Sequence, residues 1–298
     1  MKKGLVIIIF LFNGCAVFGQ SNYLVYQLRG DVMETAGKAH KLLRIGQLLK
    51  NNAVLWLNKG SGITLICENY SGFSVNTAGR YELGKHQQIC NQEDYSITAE
   101  YFKFIWEELT HPHESPEDNR RKYMQNEGAV VRGCPGIFID HVFDNINLCH
   151  GAVSISWETN LSTDRLLFAL YEDENNGEAI FSTHVKENAI SFDTIKKHAG
   201  NREDIYWGIT VDGNEICPRK CIRVWPENNY GLFLDSIKKL LPVSINKAEW
   251  NYMAGFFLEV NFFISEAFNF YQQAAIMNPA LERYRLTVDD LKKKLKKK

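Results

Sequence analysis

The 298-residue chain is predicted to be a multidomain protein with mainly β N-terminal and middle domains, a compact β domain and then a β-sandwich, followed by a short α-helical tail. Three observations predict this. Short runs rich in Tyr, Val, Leu and Ile alternate with glycine-bearing turns up to about residue 95. Similar runs, spaced by Asn, Asp and Gly clusters, recur between Ala129 and Pro226. Beyond Gly231, apolar residues return at helical spacing. The composition, 45% hydrophobic and 23% charged, is that of ordinary globular material with room for two or three domains.

At the amino terminus, Lys2 and Lys3 precede an apolar run, Leu5 to Phe12, and then small and polar residues through Gly19 and Gln20. That is the order of a secretory signal. The run would rise only about 12 Å as a helix, against a hydrocarbon core of about 30 Å, so it is too short to span a bilayer. Residues 1–20 are therefore expected to be a signal peptide, and the mature chain to be exported, either periplasmic or associated with the outer envelope. Phe12-Asn13-Gly14-Cys15 resembles a bacterial lipoprotein cleavage box, which implies lipidation at Cys15 and membrane anchoring by lipid as the alternative to a soluble form.

Loss of Lys2 and Lys3 takes the formal charge from −1 to −3, and six lysines between Lys292 and Lys298 leave the rest of the mature chain at −9. An acidic body argues against a phosphate-backbone binder, so no nucleic-acid partner is expected. The lysine run reads as a solvated helix end.

Six cysteines follow the signal: Cys67, Cys90, Cys134, Cys149, Cys217 and Cys221. An even count in an exported chain permits three disulfides. Proximity suggests Cys67 with Cys90 and Cys134 with Cys149. In a continuous strand, residues four apart lie about 13 Å apart, beyond the ~7 Å a disulfide allows between Cα atoms, so Cys217 and Cys221 can join only if Pro218 helps make a turn.

Residues 21–95 form the first domain, with strands expected at Tyr23–Leu28, Val54–Leu57 and Ile63–Cys67. Gly60-Ser61-Gly62 lacks the Gly-Lys-Ser/Thr ending of a phosphate loop, so no nucleotide site is expected. Val25-Tyr26-Gln27-Leu28-Arg29-Gly30-Asp31-Val32, Leu42-Leu43-Arg44-Ile45-Gly46, Ile63-Thr64-Leu65 and Asn76-Thr77-Ala78-Gly79-Arg80-Tyr81 together resemble the FecR-like β domain. The resemblance implies an envelope module that senses or relays through protein contacts. The cytoplasmic segment and membrane helix through which members of that family reach sigma factors have no counterpart in these residues.

Residues 96–128 read as a helix and a polar linker: Tyr101, Phe104, Ile105, Trp106 and Leu109 recur at helical spacing before His111-Pro112-His113-Glu114-Ser115-Pro116 breaks the pattern. His111 and His113 with Glu107 and Glu114 have the chemistry of zinc ligands, but the proline between the histidines and the charged setting favour a loop, and no metal is expected.

Residues 129–226 read as all β. Ser156-Trp157-Glu158, Phe168 to Glu172 and Ile205 to Val211 resemble the immunoglobulin-like and fibronectin type III domains, which implies a sandwich with Trp157 and Trp207 as core residues. Asp140, His141 and Asp144 could form a carboxylate-supported imidazole with Ser154 or Ser156 as nucleophile, yet no Gly-x-Ser-x-Gly elbow occurs. Cys217 and Cys221 would supply only two of the four ligands of a closed zinc site.

The tail, residues 229–298, starts with a helix at 231–241 that Pro242 ends. Residues 248–279 then resemble one tetratricopeptide repeat, with Ala254, Gly255, Leu258, Ala267, Tyr271, Ala274 and Pro279 on the expected positions. A lone repeat cannot bury its apolar face, so it must pack on the rest of the chain or on a partner. In that family ligands lie against the inner face of the first helix, which implies Glu249, Tyr252, Phe256, Glu259 and Val260 as partner-binding residues. Tyr284, Val288, Leu291 and Leu295 supply a capping helix.

The expected function is protein–protein interaction in a bacterial envelope, as scaffold or sensor, with no enzymatic activity and no cofactor. The alternative is carbohydrate or cell-wall binding through exposed aromatics such as Trp56, Tyr70 or Trp106. A hydrolase built on His141 ranks third.

Overall fold

A computed structural model describes residues 22–36, 39–86, 88, 90, 97–110, 135–151, 153–162, 165–185, 187–215, 217–239 and 245–295. The first eight strands are β1 (Asn22–Arg29), β2 (Val32–Ala36), β3 (Ala39–Leu42), β4 (Leu48–Lys50), β5 (Val54–Leu57), β6 (Gly62–Cys67), β7 (Gly72–Val75) and β8 (Gly79–Glu82). They form two four-stranded antiparallel sheets, ordered β4-β1-β6-β7 and β3-β2-β5-β8. Side chains alternate across a strand, so Tyr23 and Val25 of β1, Ile63 and Leu65 of β6, and Leu55 and Leu57 of β5 share one buried cluster between the sheets.

The opposite face of β1 and β6 is also buried. Leu24, Tyr26 and Ile66 belong to a second, larger core with Tyr101, Phe102, Phe104 and Ile105 of α1 (Ile97–Thr110). The helix expected in this segment is therefore present, and it is a packing element lying on the first sheet. Gly72 of β7 permits the close approach, since a Cβ there would lie 2.4 Å from the Phe102 ring. The expected polar linker that follows lies outside the described residues.

The middle region comprises β9 (Ile137–Ile139), β10 (Asn145–Leu148), β11 (Ser154–Thr159), β12 (Leu166–Tyr171), β13 (Phe181–His184), β14 (Ala189–Ser191), β15 (Asp204–Val211), β16 (Asn214–Glu215) and β17 (Lys220–Val224). One sheet runs β10-β17-β15-β12-β13, with β16 on β15; the other runs β14-β11-β9. All pairings are antiparallel except β10 with β17. Trp157 of the small sheet stacks on Phe168 of the large one, and Phe168 on Trp207, with centroids 6.4 and 5.8 Å apart. Both tryptophans are buried core residues, as expected.

The segment is not all β. Between β14 and β15 runs α2 (Phe192–Ala199), capped by Ser191, whose hydroxyl accepts from the Thr194 N–H, and ended by Gly200 at φ 62°. The cap and the terminal glycine were legible signals, outweighed by the β pattern on either side.

The tail contains α3 (Glu227–Lys239), α4 (Lys247–Val260), α5 (Ile264–Met277) and α6 (Glu282–Leu295). Asn246 caps α4 by accepting from the Glu249 N–H at 2.9 Å. In the α4–α5 hairpin a Cβ on Gly255 would sit 2.8 Å from the Tyr271 ring, so the small residue is what lets the two helices meet. Among the described residues no helix is long and apolar enough to cross a membrane.

Candidate functional site

The residues implied as partner-binding lie at an internal joint. Glu249 is 2% exposed, Tyr252, Phe256 and Glu259 are buried with it, and Val260 is partly buried. The inner face of α4 is filled by α1: Phe256 stacks on Phe104 at 5.1 Å and meets Tyr101 edge-on at 5.5 Å. Large aromatic side chains on both helices gain more by covering each other than by facing water, which is why this face carries no open groove. The structure packs these five residues against the rest of the chain.

At the centre of the joint is the Glu249 carboxylate. Its Oε1 accepts from the hydroxyls of Tyr26 of β1 at 2.5 Å and Tyr101 of α1 at 2.6 Å. Its Oε2 accepts from Arg283 Nη2 of α6 at 2.6 Å and from the Tyr284 hydroxyl. Burial pushes this carboxyl up, but the Arg283 guanidinium and the three hydroxyls outweigh it and hold Glu249 below the usual carboxylate range. Burial and the same negative charge push the Tyr26 and Tyr101 phenols well above theirs. Nearby, the Tyr271 hydroxyl donates to Glu259 Oε2 at 2.9 Å, and the hydroxyls of Tyr252 and Thr287 lie 3.1 Å apart. Sequence reasoning missed Tyr26, Tyr101, Arg283 and Tyr284, because the first two meet Glu249 across more than a hundred positions and the last two across 34 and 35, separations that no local pattern marks.

A second joint fastens the tail to the middle sheets. Glu266 Oε1 of α5 accepts from the backbone N–H groups of Cys149 at 2.6 Å and His150 at 2.7 Å. Burial nevertheless raises the Glu266 carboxyl above its ordinary range. Asn147 of β10 donates its backbone and side-chain N–H groups to the carbonyls of Phe262 and Asn261 in the hairpin turn.

Three of the residues considered for hydrolysis have described partners. Asp144 pairs with Lys220, Ser156 Oγ donates to the Leu295 carbonyl at 2.9 Å, and Asp140 Oδ1 accepts from the Val142 N–H at 3.1 Å. The His141 side chain lies outside the described residues, as do His111, His113 and Glu114. No group of three or more His, Cys, Asp or Glu suited to a metal occurs among the described residues.

Of the cysteines, Cys67 and Cys90 form the expected disulfide, with Cα atoms 5.5 Å apart. The other two suggested pairings are corrected. Cys149 and Cys221 are free thiols, both pushed up by burial, and Cys217 is disulfide-bonded to a partner outside the described residues. Cys221 sits within β17, in register with Tyr206 and Asn145, so the chain makes no turn that could bring it back to Cys217. Cys149 is buried just past β10, where Glu266 holds its N–H. Cys134 and Cys15 lie outside the described residues.

The outer side of the second amino-terminal sheet faces solvent, as do Phe138, Leu232 and Ile276 elsewhere. Its register aligns Leu42, Met33, Trp56 and Arg80 in one row across four strands, and His40, Thr35, Val54 and Glu82 in the next. Leu42 is 55% and Trp56 42% exposed. Arg80 and Lys85 pair with Glu82 at one edge. Tyr70 and Trp106, by contrast, pack edge-on against each other at 6.4 Å.

No protein-family model matches the chain, and no curated protein matches it.

Proposed function

We propose that this is an exported, non-enzymatic protein of a bacterial envelope that acts by protein–protein contact, through the outer face of its second amino-terminal sheet. The observation that carries the reading is the apolar row Leu42, Met33 and Trp56 on an outer sheet face, with Leu42 and Trp56 exposed, Met33 half-buried between them and the Arg80–Glu82 pair at its edge. Large exposed apolar side chains in a contiguous row, rimmed by charge, have the composition of a contact surface. The Cys67–Cys90 disulfide supports a non-reducing compartment, in keeping with a cleaved signal at residues 1–20 and with either a periplasmic or a Cys15-lipidated form.

In this reading residues 22–85 are a FecR-like module. The middle sheets are an immunoglobulin-like sandwich, a comparison supported by the two facing sheets and the parallel pairing of β10 with the last strand β17. The α4–α5 hairpin is a tetratricopeptide-like unit turned inward. Crosslinking pull-downs from the native envelope, with wild-type protein and with Leu42→Glu/Trp56→Glu, test it. The double variant loses one or more specific protein partners; capture of an unchanged set contradicts the reading.

A second reading, glycan or cell-wall binding, is favoured by Trp56 standing exposed beside Arg80, with Glu82 in the next row. It predicts retention on peptidoglycan or glycan resin that Trp56→Ala abolishes, with no protein partner recovered.

A further inference from the structure

We propose that the cavity where β1 and β6 meet the amino-terminal end of α4 binds a carboxylate group. The cavity, about 130 Å³, is lined by Gln27, Arg29, Gly62, Thr64, Asn76 and Asn246, together with Leu28 and Ile63. A β-bulge creates it. In the pairing of β1 with β6 the register slips between Val25 and Gln27, so that Val25 faces Leu65 but Gln27 faces Thr64. The extra residue makes Tyr26 and Gln27 both point to the tail side of the sheet: Tyr26 reaches Glu249, and Gln27 faces the cavity.

Gln27 is 9% exposed, and its Nε2 is a buried donor without a hydrogen-bond partner. Leaving such a group unsatisfied costs about 1–3 kcal/mol, so a ligand oxygen is the complementary occupant. Among the described residues Arg29 is the one charged member of the lining, steadied by its Nε donating to the Gly60 carbonyl at 3.2 Å. Asn246 brings the first turn of the 14-residue helix α4, where backbone N–H groups and the helix dipole favour an anion. Gly62 keeps the space open, because a Cβ there would lie 2.5 Å from Asn76 Oδ1 and 3.4 Å from Arg29 Nη2. Three neutral amides, one guanidinium and a helix end suit a planar, singly charged group with two acceptor oxygens. The volume admits that group with a few attached carbons, the remainder of the ligand extending to solvent.

The test is a titration of the ¹⁵N-labelled mature chain, followed at the Gln27 side-chain amide, with N-acetyl-Ala-Ala, its carboxamide, sodium acetate and inorganic phosphate. The free acid is expected to bind in the millimolar range or tighter, with the carboxamide about tenfold weaker. Arg29→Gln, at an exposed position, should weaken the acid by about tenfold, and Gly62→Ala should reduce binding by filling the space. Acetate binding as tightly as the peptide would assign free small acids, and weaker acetate binding would assign a peptide terminus; either supports the carboxylate site. Equal binding of acid and carboxamide, preference for phosphate, or no shift at Gln27 up to about 50 mM acid would overturn it. The outer-sheet reading plays no part in this test.

Discussion

Glu249 and Glu266 are both buried carboxylates on neighbouring helices, yet their surroundings drive them in opposite directions. Glu249 has a guanidinium and three hydroxyls, so its folded pKa lies below the unfolded value of about 4.3. Its stabilisation is present above that value and is lost as pH falls through the folded pKa. Glu266 has two backbone donors on one oxygen and a buried Oε2 with none, and its folded pKa is raised. The proton it gains on folding stabilises below the unfolded pKa, and that contribution is lost as pH rises through the folded one. Urea denaturation of two variants between pH 4 and 8 separates these cases. Glu249→Gln leaves Arg283 buried without its counter-charge and should cost about 3–5 kcal/mol at neutral pH. Glu266→Gln keeps an oxygen for the Cys149 and His150 N–H groups and removes a poorly solvated charge, so stability at pH 8 should equal or exceed wild type. A wild-type-like Glu249→Gln, or a Glu266→Gln that unfolds as readily as a Glu266→Ala control, would contradict this.

At the level of elements, two glycines set how closely layers approach. Valine at Gly72 would drive its Cβ into the Phe102 ring of α1, and overpacking of this kind costs about 1–3 kcal/mol. Gly72→Val should therefore destabilise by that amount, and Phe102→Leu in the same chain should return part of it; additive losses in the double variant would show that the two do not meet. The same glycines mark what the sequence could and could not reveal. Helical periodicity disclosed α1 and the tail helices, and Gly255, Ala267 and Ala274 disclosed the hairpin, since each signal lies within one element or its neighbour. The bulge before Gln27 and the lodging of Phe102 over Gly72 depend on partners distant in sequence, and no local pattern carries them. The helix α2 was hidden for a different reason: at eight residues its cap and terminal glycine are slight beside the β runs around it.

For the whole molecule, β-rich segments precede the helical tail, and one core runs through parts of both. β1 contributes to both cores, Tyr23 and Val25 to one and Leu24 and Tyr26 to the other, and the larger core runs on through α1, the middle sheets and the tail. The Tyr26–Glu249 bond closes a separation of 223 residues. Such a contact is set by how the surfaces fit after the local elements exist, which is why the tail's aromatic face could be read from sequence while its partner could not. A chain ending at Pro226 would strip α1 and the middle sheets of their cover. It should bind a hydrophobic dye strongly and aggregate at concentrations where the full chain stays monodisperse; a soluble, dye-silent truncation would mean that the tail is dispensable to the fold.

The most direct test of the joint is native-state hydrogen exchange of the full mature chain in low denaturant, following peptides from β1, α1, α4 and β15. One shared opening free energy is predicted, because Glu249 and the aromatic layer tie these elements into a single cooperative unit. Exchange of α4 in a separate opening at lower denaturant, with β1 and α1 still protected, would contradict it and return the inner face of α4 to the list of surfaces open to a partner.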